Sequence, residues 1–314
     1  MKFIRGLHNI RPENHGCVLS IGNFDGVHRG HQALLARLKH EGQKRHLPTM
    51  VMIFEPQPLE FFSPEKAPPR LTYLRDKLKY LSQIKIDYVL CVKFDPSFAA
   101  YTADDFIAEF LIKQLGVHLL VVGDDFRFGK KRQGNIKLLT QASKKIDFQI
   151  ISIEGFFYKR LRISSTVIRE ALQKDQLALA EDLLGHPYCI SGRIVHGDKL
   201  GRTLGFPTLN LPVKSSRMPV QGVYVVEVYG LTYEVLPGVA NIGSRPTISG
   251  TCHQIDVHVL DFSMEVYGRY VDIVFRQKLR NEQRFTSLDA LRQQISLDVL
   301  AARTFFGLKL KPKI

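Results

Sequence analysis

Two histidines three residues apart, His28 and His31, close the stretch VLSIGNFDGVHRGH from Val18 to His31. Its pattern predicts an apolar strand, a turn containing Gly22 and Gly26, and a helix that the histidines enter. A helix start gathers free backbone N–H groups and partial positive charge, which attracts phosphate. Gly22 ends the strand where a Cβ would hold a nucleotide away, and Gly30 lets backbone approach between the imidazoles. At i and i+3 both imidazoles share a helix face and can donate to phosphate oxygens. This is a phosphate grip without a P-loop: neither GxxxxGK followed by Ser or Thr, nor GxGxxG, occurs in the chain.

Other stretches have compatible chemistry. In Arg162-Ile163-Ser164-Ser165-Thr166-Val167-Ile168-Arg169, hydroxyls cap a helix start between two arginines, and Arg169 can neutralise charge developing in a transition state. Gly123-Asp124-Asp125-Phe126-Arg127-Phe128-Gly129 follows an apolar strand and can hold a ring by stacking and hydrogen bonding. Phe54-Glu55-Pro56-Gln57-Pro58 is a proline-braced loop. Farther on, GDKLGRTLGFPTLN from Gly197 to Asn210 places Gly197, Gly201 and Gly205 in a close-approaching loop, with Lys199 and Arg202 beside it. Along the strand that follows, Thr208 and Asn210 face one side and Leu209 the other, so a hydroxyl and an amide oxygen can hold a hydrated Mg²⁺ carrying ATP. Each piece has an ordinary alternative: an incidental HxxH pair, a helix cap, a solvated turn, a Gly-rich hairpin. Their joint placement after strands and at helix starts favours a nucleotide site.

The elements that must position these residues fall into two rhythms. Up to about residue 185, strands (Cys17–Ile21, Met50–Phe54, Tyr88–Phe94, Leu119–Gly123, Phe148–Ile153) alternate with helices near His31–His40, Thr72–Ser82, Ala103–Leu115, Asn135–Ala142, Ser165–Leu172 and Gln176–Leu184. Thr102 is the expected cap of the third. Runs such as LLVVG are apolar on both faces, as buried parallel strands are. The alternation predicts a doubly wound α/β sheet, with ligands beyond the carboxyl ends of its strands. After Gly185-His186-Pro187, strands at Tyr188–Val195, Thr208–Leu211, Val223–Tyr229, Val235–Ala240, Ile255–Leu260 and Val271–Phe275 predict an antiparallel barrel. A helix from Ser287 to Phe306 closes the pattern, ended by Gly307. The expected domains are therefore 1–185 and 186–314.

Composition bounds the partners. The 314 residues carry a formal charge of +14, spread along the chain. That suits nucleic acid or small polyanions such as ATP. No run of eighteen apolar residues predicts a membrane span, and the N-terminus lacks a signal-peptide core. Cys17, Cys91, Cys189 and Cys252 form no CxxC pair, which predicts reduced thiols in a cytoplasmic protein and no structural zinc.

At the level of motifs the chain resembles the bacterial bifunctional riboflavin kinase/FMN adenylyltransferase (FAD synthetase) family over essentially its whole length. Gly22-Asn23-Phe24-Asp25-Gly26-Val27-His28 through His31 is similar to the HxGH region, and Ile163-Ser164-Ser165-Thr166-Val167-Ile168-Arg169 to the ISSTxxR signature. Asp125 falls where the family places a polar residue that helps hold substrates. The resemblance implies a Rossmann-like nucleotidyltransferase domain, related to class I aminoacyl-tRNA synthetases, followed by a six-stranded antiparallel β-barrel with a terminal helix. The implied adenylylation is attack of the FMN phosphate on the α-phosphorus of ATP, giving FAD and pyrophosphate. His28, His31 and Arg169 then stabilise charge, while Gly22, Phe24, Asp25, Asp125, Arg162, Ser164, Ser165 and Thr166 bind nucleotide or flavin.

In the second half, Gly197–Asn210 resembles the glycine-rich loop and PTAN motif of riboflavin kinases, with Leu209 in place of alanine. The resemblance implies Gly197, Lys199, Gly201, Arg202, Gly205 and Phe206 as nucleotide or flavin ligands, and Thr208 and Asn210 as Mg²⁺ ligands. Gln254–Asp261 is similar to the stretch carrying the family's catalytic glutamate, which takes the proton of the riboflavin 5′-hydroxyl. Here that position is Asp256, about 1.5 Å shorter in reach; His258 on the same face is a weaker substitute. Asn241–Thr247 and Arg280–Phe285 also resemble family segments, the latter shaping the flavin pocket. Tyr224 and Phe206 read first as core and second as ring-pocket residues. The expected partners are ATP, riboflavin, FMN and FAD, with no nucleic acid or membrane. The alternative is a basic nucleic-acid-binding or RNA-modifying protein, against which stands the lack of an RNP-like aromatic strand, zinc fingers or a basic stripe.

Overall fold

The computed structural model describes residues 1–197, 200–213, 217–247 and 250–309. Packing divides them into two compact units: Met1–Pro68 with Thr72–Ser165, and Pro69–Leu71 with the chain from Thr166 onward.

The first unit runs β1 (Lys2–Arg5), β2 (Val18–Ile21), α1 (Arg29–Arg45), β3 (Thr49–Glu55), α2 (Pro58–Phe62), α3 (Leu74–Gln83), β4 (Tyr88–Lys93), α4 (Pro96–Ala99), α5 (Ala103–Asp105), β5 (Leu119–Gly123), α6 (Ile136–Ser143) and β6 (Gln149–Ile153), then a short hairpin of β7 (Phe157–Tyr158) and β8 (Leu161–Arg162). The six-stranded sheet has the order β1-β4-β3-β2-β5-β6, every pair parallel. Alternate residues of one strand enter opposite cores: Leu19, Met50, Met52 and Leu90 join the phenylalanines 98, 106 and 110, while Val18, Val51, Ile53 and Val89 meet Leu35, Leu38 and Leu81. Both faces are thus dry, which is why these strands read as unbroken apolar runs. The order reverses between β2 and β5. In a doubly wound sheet that is the crevice where ligands bind, and the loop after β2 opens onto it.

Two elements depart from expectation. β1 was not predicted, because only Ile4 of its four residues is buried and its partner is β4, far along the chain. The helix expected over Ala103–Leu115 starts on its Thr102 cap but continues as a π-helix over Phe106–Gln114. There Phe106 and Phe110 pack 5.3 Å apart. An apolar pattern alone does not distinguish the wider winding from an α-helix.

The second unit contains α7 (Ser165–Gln173, beginning at the unit boundary), α8 (Leu177–Leu184), β9 (Cys189–Arg193), α9 (Leu200–Thr203), β10 (Leu209–Val213), β11 (Gly222–Tyr229), β12 (Leu236–Thr247), β13 (Gly250–Val259), β14 (Tyr270–Arg280) and α10 (Leu288–Phe305). Its antiparallel sheet has the order β10-β13-β12-β11-β14-β9. A bridge between Val195 and Asn210, with the Val195 amide donating to the Asn210 carbonyl at 2.9 Å, nearly closes it into a barrel. Ser287 caps α10 by accepting from the Ala290 amide, and Ala302 packs on Val223, Val225 and Val239. Packing groups α7 and α8 with the barrel strands. Asp175, which follows α7, accepts hydrogen bonds from Tyr224 (2.9 Å) and Lys278 (2.8 Å). Tyr224 is wholly buried and fills the core, and burial raises its hydroxyl pKa.

Candidate functional site

In the first unit the loop after β2 is held in an uncommon shape. Phe24 and Val27 both have positive φ, 46° and 39°. For a β-branched valine this is a strained backbone that the surroundings must enforce. Asp25, 2% exposed, accepts from the Thr72 amide at 2.9 Å; the Gly26 amide donates to the Thr72 hydroxyl at 2.9 Å; and the Ser165 hydroxyl donates to the Asp25 carbonyl at 2.8 Å. The HxGH-like and ISST-like segments are therefore bonded to each other.

Several readings of this loop change. Asp25 is turned inward as a fastening for Thr72, and Phe24 packs in the core, 2% exposed, with its ring 5.0 Å from that of His31. A Cβ on Gly22 would meet the Phe24 ring at 3.2 Å. Gly30 does make room as expected, since its Cβ would lie 3.2 Å from the His28 ring. His28 is not on the helix face. It is the N-cap of α1, its Nδ1 accepting from the His31 amide at 3.3 Å. In the neutral ring the proton then belongs on Nε2. The two imidazoles stack at 3.6 Å. Burial, then the charges of His28 and Lys77, hold the His31 pKa well below the ordinary histidine range, and its Nδ1 is sealed from solvent with no hydrogen-bond partner. His31 accordingly enters any chemistry as a neutral ring.

Around this loop, Arg162 pairs with Asp124 at 2.8 Å and reaches Asp125 at 3.7 Å, so its charge is shared before any ligand arrives. At the ends of β3 and β4, Phe54, Phe61 and Phe62 ring Phe94 at 5.5–5.6 Å, with Phe62 61% exposed; Phe126 stacks on Phe128. Phe62, the last residue of α2, and Phe94, directly after β4, were not singled out from sequence. Ser164 precedes α7, Thr166 is exposed on it, and Arg169, in the second unit, is buried with its Nε donating to the Pro69 carbonyl at 2.6 Å.

The second unit holds a cavity of about 350 Å³, lined by Gly201, Phe206, Thr208, Asn210, Asp256 and His258 from the predicted set. The apolar wall is Leu204, Val223, Val239, Phe285, Leu291, Ile295 and Val299. Strand register explains the polar wall. Asn210 of β10 pairs with Asp256 of β13, which pairs with Asn241 of β12, so three polar residues lie abreast on one face. Gln254, two residues before Asp256, donates to the Asp256 carboxylate and to the Asn210 amide oxygen, each at 2.6 Å.

The loop before β10 fits around Asn210. A Cβ on Gly197 would strike the Asn210 side chain at 2.5 Å, and Gly205 turns the chain at φ +85°. Arg202 is exposed on α9, and Lys199 lies outside the described residues. His258 donates through Nδ1 to the Pro207 carbonyl at 2.9 Å and meets the Phe206 ring edge-on; burial lowers its pKa. At the far wall Arg280 grips the buried Asp298 through Nε and Nη2 at 2.8–3.1 Å, fixing α10 to the end of β14. The Arg280–Phe285 segment lines the cavity as expected. Asn241, Gln254 and Asp298 were not assigned from sequence; the alternation of Gln254, Asp256 and His258 in an apolar strand was the signal.

An α/β unit with a histidine pair at its switch point, joined to a barrel with an oxygen-lined cavity, defines a two-unit phosphate-group transferase. The FAD synthetase family model matches residues 10–167 and the riboflavin kinase family model residues 184–306. The chain is 59% identical to the bifunctional riboflavin kinase/FMN adenylyltransferase of Escherichia coli K12, covering 98% of this chain and 99% of that one. The protein of the same description from Haemophilus influenzae is 49% identical, covering 98% and 100%. A crystal structure described as a macrolide-efflux protein of Streptococcus pneumoniae superposes with a TM-score of 0.79 at 28% identity, over 96% of this chain and 99% of that one. The chain belongs to the bifunctional riboflavin kinase/FMN adenylyltransferase family. Among the described residues no helix is long and apolar enough to cross a membrane.

Proposed function

We propose that this chain converts riboflavin to FMN in the barrel cavity and FMN to FAD at the switch-point loop, with the second activity assigned to 1–185 and the first to 186–314. The observation that carries the kinase reading is the register of Asn210 beside Asp256 in one cavity with Thr208. Asp256 takes the proton of the riboflavin 5′-hydroxyl. The riboflavin 5′-oxygen forms a bond to the γ-phosphorus of ATP, the bond from that phosphorus to the bridging oxygen breaks, and the electron pair leaves with ADP. The Thr208 hydroxyl and Asn210 amide are hard oxygen donors that would hold Mg²⁺, which when bound with ATP neutralises phosphate charge.

For adenylylation, an FMN phosphate oxygen bonds to the α-phosphorus of ATP and pyrophosphate departs. The nucleophile is already ionised, so no general base is required, and the task is positioning and charge stabilisation. His28 contributes an N–H donor from Nε2 and His31 a neutral imidazole. Nucleic-acid binding receives no supporting feature from either site.

Incubation with riboflavin, ATP and Mg²⁺, with the flavins separated by chromatography, tests the proposal. FMN followed by FAD is expected. FMN that never becomes FAD removes the adenylylation assignment; FAD formed from added FMN, but not from riboflavin, removes the kinase assignment.

A further inference from the structure

We propose that His258 is a positioning residue for phosphoryl transfer, its imidazole pinning the chain just ahead of Thr208 so that the glycine-rich loop and Thr208 keep their place on the cavity wall. This rests on the kinase reading above, and it gives His258 a task other than accepting the riboflavin proton. The ladder between β10 and β13 starts at Leu209, opposite Val257. Carried one step further, the same register sets Thr208 opposite His258, beyond the last backbone pair. Pro207 has no N–H to give, so its carbonyl is the backbone group left to fasten it. His258 does so: Nδ1 lies 2.9 Å from that oxygen, and because a carbonyl only accepts, Nδ1 carries the proton. The ring also meets that of Phe206 edge-on, with centroids 5.5 Å apart. His258 thus touches both residues that precede Thr208.

The loop is built on the same two residues. The Phe206 amide donates to the Gly201 carbonyl at 2.7 Å, and a Cβ on Gly201 would strike the Phe206 carbonyl oxygen and lie 3.3 Å from the Thr208 hydroxyl. On β13 the i, i+2 spacing puts Asp256 and His258 on one face, and both line the cavity with Gly201 and Thr208. That strand is paired on both sides, to β10 and to β12. A single braced backbone therefore carries the proposed base and sets the position of the loop that faces it.

The test uses the full chain with His258→Leu, which keeps bulk but has no donor, and His258→Asn. The asparagine amide nitrogen is as many bonds from Cβ as Nδ1 is, and it donates without serving as a base. The readouts are kcat and KM for ATP in riboflavin consumption, and deuterium exchange of the Phe206 amide in the protein without nucleotide. In His258→Leu the KM for ATP is expected to rise roughly fivefold or more, with kcat within about threefold and Phe206 exchange faster by about fivefold. His258→Asn should bring KM and exchange back to within about twofold of the parent, and FAD formation from added FMN should stay unchanged in both variants. A parental ATP KM or parental Phe206 exchange in His258→Leu overturns the proposal, as does a His258→Asn variant no better than His258→Leu. A fall in kcat alone, not rescued by asparagine, overturns it in favour of proton transfer by His258. A parent chain that forms no FMN overturns instead the kinase reading beneath it, while the exchange comparison still reads the fastening by itself.

Discussion

At the scale of single residues the two proposed chemistries separate cleanly. His28→Ala removes both the N-cap of α1 and the proposed phosphate donor. It should lower FAD formation on the order of 100-fold and leave FMN formation intact. Equal loss of both activities, measured by flavin chromatography, would contradict two independent sites. Asn210→Ala should do the reverse, stopping riboflavin phosphorylation while FAD is still made from added FMN. His28, His31, Thr208, Asn210 and Asp256 were legible because each lies in a short local pattern. Asn241 and Gln254 were not, because their place beside Asp256 and Asn210 depends on which strands lie side by side. Phe24 and Asp25 were legible as part of a motif, but their burial was not; a motif does not say which of its side chains turn inward.

Among the elements, the backbone at Gly197 lies close against the Asn210 side chain of β10. Gly197→Ala would drive a methyl group into the Asn210 side chain, the ideal Cβ lying 2.5 Å from it. FMN formation should fall at least tenfold while FAD formation from FMN holds. Parental kinase rates in that variant would show that the loop shifts freely. The long strands, α1 and α10 were readable from apolar periodicity and caps. β1 and the π-helix were not: one has a single buried residue, and the other differs from an α-helix only in hydrogen-bond register. The Cys17 thiol, at the start of β2, is buried and its pKa is pushed up to about 12. It should resist alkylation at pH 8 until the unit unfolds.

For the whole molecule, the two fold classes were evident from the change of rhythm near residue 185. The packing division was not, because α7 and α8 continue the periodicity of the first half while Asp175 ties them to barrel strands. Stability should depend on pH through His31. Its folded pKa lies well below the ordinary 6.5, so the unfolded chain binds this proton and the folded chain does not. The contribution is therefore fully present above about pH 6.5 and lost as pH falls below it. Urea midpoints should drop between pH 7.5 and 5.5, and less so in His31→Phe; an identical drop would assign the effect to other groups. One feature of the barrel has a mechanical side. Asn210 turns its side chain to the cavity and offers its carbonyl to the Val195 amide across the seam between β9 and β10. Whatever steadies that side chain also latches the ring. The Val195 N–H is thus a gauge of occupancy at the seam, and its exchange with deuterium should slow when nucleotide, Mg²⁺ and flavin fill the barrel.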